Sequence, residues 1–144
     1  MIALDTNILI YAYRSDAPWH DRARAAVESL ARGDVSWGLP WPAMVEYVAA
    51  VTSPGRFVDP TPAAAALGQL EALAGAPSAV VLVEASDPLT PFADLVRASA
   101  ASSRAVYDAR IAALCLSQGV RELWTADRDF GRFPRLKTRN PLVG

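Results

Sequence analysis

Short apolar runs of strand length alternate with longer amphipathic runs along the whole chain, and proline or glycine punctuates most of the joins. That alternation constrains the fold more than any other feature. It predicts an α/β architecture with a mainly parallel central sheet flanked by helices. Strands are expected at Met1–Leu4, Val35–Leu39, Ala79–Val83, Glu122–Ala126 and Leu136–Thr138. Ala79–Val83 reads as a buried strand, and Pro40 as the end of Val35–Leu39. Helices are expected over Asn7–Tyr13, from Pro18 to near Gly33, and over Trp41–Thr52 and Ala63–Ala74. Two more are expected, from Asp87-Pro88 to about Ala100 and from Val106 to Gln118, where Gly119 stops the helix. With 144 residues and no linker or repeat, the chain is expected to form one domain, residues 1–144.

Four acids stand at the ends of different predicted elements, each in an apolar or small-residue setting. Asp5 closes the first strand, where ligands bind in open α/β sheets; an N-cap is its bland alternative. Glu46 shares a helix face with Ala43, Ala49, Ala50 and Ser53, so it looks out over small side chains. Asp108 is followed by Ile111, Ala112 and Cys115 at i+3, i+4 and i+7, in line with an apolar stripe. Asp127 follows Glu122–Ala126, and Asp129 competes with it for the same place or caps the turn before Phe130. Carboxylates on apolar faces are costly, and converging ones raise each other's pKa. Divalent cations with oxygen ligands offset both effects. Magnesium- or manganese-dependent phosphodiester chemistry is therefore expected, with Asn7 and Thr125 orienting carboxylates or waters.

Other chemistries have little to work with. Cys115 is the only cysteine, so there is no internal disulfide and no cysteine-built zinc site. His20 is the only histidine, in the surface-like Trp19-His20-Asp21-Arg22. An aspartyl phosphatase would want an Asp where Asn7 stands and a lysine nearby, and Lys137 is the only lysine. A binding module with a non-catalytic acidic site is the rival from another class. The net charge of −1 disfavours strong polyanion binding overall, although Arg121–Arg139 holds a basic patch able to meet phosphates. No apolar run approaches the roughly 20 residues of a membrane span. The chain opens directly on a strand, without a signal peptide, so a cytoplasmic location is expected.

Leu4-Asp5-Thr6-Asn7, the internal Glu46, Tyr107-Asp108-Ala109 and Thr125-Ala126-Asp127-Arg128-Asp129-Phe130 together resemble the PIN-domain ribonucleases. More closely, the chain is similar to VapC toxins of type II toxin–antitoxin pairs. Gly38-Leu39-Pro40-Trp41 and the segment from Phe133-Pro134 to Leu142 add to that likeness. The resemblance implies a three-layer fold and a Mg2+- or Mn2+-dependent endoribonuclease that hydrolyses RNA with metal-activated water. It also implies a homodimer inhibited by a VapB-like antitoxin. Asp5, Glu46, Asp108 and Asp127 match the family's acidic quartet in order. Ile8, Tyr11, Tyr13, Trp19, Trp37 and Trp41 are expected to include the apolar groove that receives the antitoxin beside the acids.

Overall fold

The computed structural model describes residues 1–144. Its five strands are β1 (Ile2–Leu4), β2 (Trp37–Pro40), β3 (Ala79–Leu82), β4 (Glu122–Trp124) and β5 (Thr138–Arg139). They form one sheet in the order β3-β2-β1-β4-β5, and every pairing is parallel. The helices are α1 (Thr6–Tyr13), α2 (His20–Arg32), α3 (Trp41–Val51), α4 (Ala63–Ala74), α5 (Leu89–Ser99) and α6 (Ala105–Ser117), with a 3-10 turn at Arg128–Arg132. No helix is long and apolar enough to cross a membrane.

Strand alternation sorts the helices into two outer layers. Leu4, Trp37, Leu39 and Trp124 point into a core shared with α1, α2, α3 and α4. Ala3, Leu82 and Leu123 point into the other core, with α5, α6, Phe130 and Phe133. This is the three-layer α/β arrangement. Strand order runs outward in both directions from β1, so the crossovers diverge between β1 and β4. The crevice at the carboxyl ends of those two strands is where open parallel sheets bind ligands.

Several boundaries differ from the sequence reading, for identifiable reasons. Pro18 does not open α2. Trp19 takes a left-handed backbone (φ 57°), and the helix begins at His20. The Trp19 ring sets edge-on to Tyr11 at 6.1 Å, and His20 Nδ1 lies 2.8 Å from the Tyr11 carbonyl oxygen. That fixed turn displaces the helix start. β2 begins at Trp37 because its ladder partners, Ile2 and Ala79, begin there; Val35 stays exposed. Pro40 is part of β2, at its last position, where a missing N–H costs least. β3 is not buried: it is a sheet edge, with Val80 and Val81 about 40% exposed. Leu136 enters the core and leaves Thr138–Arg139 to pair with β4. Ile8 and Trp37 are fully buried core residues and so line no groove; Trp19 and Trp41 remain about half exposed.

Close packing in the sheet depends on one glycine. A Cβ on Gly38 would lie 2.5 Å from Leu82 Cδ1 and 3.4 Å from Met1 Sδ. Gly38→Ala is expected to lower stability by about 1–3 kcal/mol through overpacking. Gly68, inside α4, has open space around it. Gly68→Ala is expected to raise stability by roughly 0.5–1 kcal/mol. Urea unfolding of both variants tests the pair; equal effects would contradict the packing described.

Candidate functional site

Asp5 is placed by the end of β1. Its amide donates to the Trp124 carbonyl at 3.0 Å, continuing the β1–β4 ladder one step beyond the strand. Its side chain then caps α1: Oδ1 accepts the Thr6 amide at 2.7 Å. Cap and functional candidate, alternatives in the sequence, are the same residue. Oδ2 accepts from Thr125 Oγ1 at 2.7 Å and from Asn7 Nδ2 at 2.9 Å. The Asn7 side chain also accepts the Ala126 amide at 3.1 Å, and Thr125 Oγ1 accepts the Asp127 amide at 3.0 Å. Asn7 and Thr125 thus tie the β1–α1 junction to the segment after β4. Asn7 is also too committed to stand in for a second catalytic acid.

A cleft of about 680 Å³ opens beside this junction. Glu46 lines one wall with Ala49, Ala50 and Ser53, the small-residue face expected of α3. Asp108 lines the same cleft from the first turn of α6 and does not face away from the site. Asp127 and Asp129 both line it from the β4 side. Asp127 is the turn cap there, since its Oδ1 accepts the Asp129 amide at 2.8 Å. Asp127 is half-buried and Asp129 exposed. Asp5 is buried behind the cleft and does not line it; Thr6 does, and connects the two. Thr6 Oγ1 donates to Glu46 Oε2 at 2.9 Å, one residue from Asp5.

The electrostatics are those of crowded anions. Burial, opposed by the Thr125 and Thr6 hydrogen bonds and assisted by Asp108 and Glu46, pushes the Asp5 carboxyl up to about 7. Burial, then Asp127, Glu46 and Asp129, pushes Asp108 up to about 6. None of the five acids forms an ion pair. The lysine a phosphoaspartate site would want is paired with Glu122 at 2.8 Å. As a donor set, five unpaired carboxylates with hydroxyl neighbours suit a hard divalent cation. No three of them are already gathered into a ligand set, so the fit lies in donor chemistry and charge and not in preset distances.

Sequence reasoning missed Thr6, Arg56, Arg104 and Tyr107, which all line the cleft. Spacing carried no signal for the two arginines: Arg104 precedes α6, and Arg56 lies beyond the end of α3, after Pro54-Gly55. Thr6 was hidden between two more obvious neighbours. Cys115 and His20 take the structural roles expected: Cys115 is fully buried, and the His20 ring is spent on Tyr11.

Comparison with known proteins places this geometry. The PIN-domain family model matches residues 2–136. Ribonuclease VapC43 of Mycobacterium tuberculosis is 35% identical over 144 residues, covering 100% of this chain and 97% of the relative. Ribonuclease VapC48 of the same species is 28% identical over 150 residues, covering 97% of each. Among solved structures, VapBC2 from Rickettsia felis bound to promoter DNA superposes with TM-score 0.69 at 19% identity, over 97% of this chain and 98% of that one. The sarcin–ricin-loop-cleaving toxin VapC20 of M. tuberculosis superposes with TM-score 0.66 at 17% identity, over 91% and 93%. The chain therefore belongs to the PIN-domain family and, within it, to the VapC ribonucleases.

Proposed function

We infer that this protein is the toxin of a VapBC-type toxin–antitoxin pair, an endoribonuclease whose acidic cleft works with Mg2+ or Mn2+. The observation that carries the reading is the cleft at the β1–β4 switch point, lined by four acids that form no ion pair. Antitoxin control is carried over from the VapBC complexes among the similar structures. A second cleft, between α1, α2 and α4 and lined by Tyr13, Val27, Ala31 and Leu73, offers the antitoxin an apolar seat.

A divalent ion bound among these carboxylates supplies charge neutralisation at the phosphate and a nucleophile at neutral pH. Asp5, Glu46 and Asp108 are the residues to hold it, with Asp127 assisting. The protein's contribution is orientation. Thr6 fixes Glu46, and Thr125 with Asn7 fixes Asp5, so neither carboxylate is free to turn away. The hydrolysis needs no 2′-hydroxyl for its chemistry, so preference for RNA comes from binding.

Asp5→Asn and Asp108→Asn are expected to reduce RNA cleavage by at least about 100-fold in excess manganese, with the fold retained. Asp127→Asn keeps the turn cap and isolates its charge; its loss is expected to exceed that of Asp129→Ala. Cleavage rates, with circular dichroism as the folding control, check both statements. The reverse ranking would hand the fourth position to Asp129.

The raised carboxyls also predict a pH dependence. Free of divalent ions, Asp5 and Asp108 hold protons in the fold that the unfolded chain has already released. Stability therefore falls as pH rises from about 4 to about 7, with an upper limit of about 4 kcal/mol from Asp5 alone. Carboxylates held low by partners, such as Glu28 with Arg24 and Glu84 with Arg110, act in the opposite sense but only below about pH 4.5. Melting temperature against pH in a chelator should show the fall, and Asp5→Asn should flatten much of it. Added manganese should raise the melting temperature more at about pH 8 than at about pH 5.5.

A further inference from the structure

An arginine beside several carboxylates ordinarily pairs with one of them. Arg56 and Arg104 line the acidic cleft, and neither does so. Arg14, Arg24, Arg32, Arg97 and Arg110 have acidic partners and the other eight arginines do not; of those eight, Arg56 and Arg104 are the ones that line the acidic cleft. Both are exposed and come from different elements, Arg104 just before α6 and Arg56 in the turn after α3.

That turn is anchored. The Arg56 and Phe57 amides both donate to the Ser53 carbonyl at 3.2 Å. The Phe57 ring lies 4.2 Å from the Arg14 guanidinium carbon and 5.8 Å from that of Arg56. Arg14 has a side chain only 10% exposed, and it ties the following loop through the Asp59 carbonyl and Thr61 Oγ1. Arg56 is therefore presented from a fixed base. Between Arg104 and Asp108, Tyr107 also lines the cleft and is 65% exposed. An aromatic ring left open beside acids contributes nothing to either core.

Unpaired guanidinium groups match phosphate geometry, and an open aromatic ring is a platform for an unstacked base. We propose that Arg56, Arg104 and Tyr107 form an RNA-gripping rim, with the two guanidinium groups holding backbone phosphate and the Tyr107 ring stacking an unpaired base. This rests on the ribonuclease reading above. It makes the preferred substrate a single-stranded segment, since a duplex offers no free base face.

The test is fluorescence anisotropy with a fluorescein-labelled single-stranded RNA of about 16 nucleotides, titrated across a range of salt concentrations. An Asp5→Asn background keeps the strand uncleaved, and Asp5 does not itself line the cleft. Arg56→Ala and Arg104→Ala should each reduce the slope of log K against log salt by about 0.7. Tyr107→Ala should weaken binding about fivefold or more, and Tyr107→Phe should restore it. With the wild-type acids present, the arginine variants should raise KM while changing kcat less than about threefold. Unchanged slopes in both arginine variants, together with unchanged affinity in Tyr107→Ala, overturn the rim. A slope lost instead in an Arg121→Ala/Arg135→Ala double variant overturns it too and moves RNA to the last strands. If the rim fails while the wild type cleaves RNA, the ribonuclease reading stands; a wild type that neither binds nor cleaves any RNA overturns both.

Discussion

One buried carboxylate organises this protein. Asp5 sits at the only place where β1, α1 and the segment after β4 meet, and it accepts hydrogen bonds from Thr6, Asn7 and Thr125. Burying an acid at that depth is unfavourable, and its carboxyl is driven up to about 7 despite those bonds. The bonds fix its oxygens and, through Thr6, fix Glu46 as well. The cost in stability is concentrated at the switch point, while no buried side-chain polar atom elsewhere lacks a partner. A carboxyl so perturbed at the switch point of the sheet has the environment expected of a functional site.

Much of this was legible in the chain itself. α4 and the α3 and α6 faces followed from helical periodicity; Glu46 and Asp108 stood out against those faces, and Asp5 and Asp127 by their places at strand ends. What escaped was set by distant partners. β3 carries the sequence of a buried strand, Ala79-Val80-Val81-Leu82, yet the topology leaves it at an edge. No local pattern says which strand will be last in a sheet. The start of α2 was displaced by an aromatic contact between Trp19 and Tyr11, which proline statistics do not anticipate. Trp37 and Ile8 looked available for a partner only because the depth of the core between α1 and β2 is a tertiary fact.

Within the site the same division holds. Asp5, Glu46, Asp108 and Asp127 were recognisable because charge on an apolar or small-residue face is rare. Arginines at exposed helix ends are common, so Arg56 and Arg104 carried no such signal until the structure put them beside four acids and left them without an ion pair. Thr6 illustrates a third case. A threonine in the first turn of a helix is unremarkable, and its bond to Glu46 spans 40 positions.

The network around Asp5 has a consequence for when activity can appear during synthesis. Its bonds from Thr125 to Asp5 and from Asn7 to Ala126 join positions about 120 residues apart. β1 is likewise completed by β4, from the far side of the sequence. The cleft is therefore closed by contacts of very high separation, which form late in folding and carry a large loop-closure cost. A growing chain that has not yet released residues 125–127 from the ribosome holds Asp5 and Glu46 without the partners that set Asp5. The Asp5 network is thus incomplete until residues 125–127 have been made and have left the ribosome.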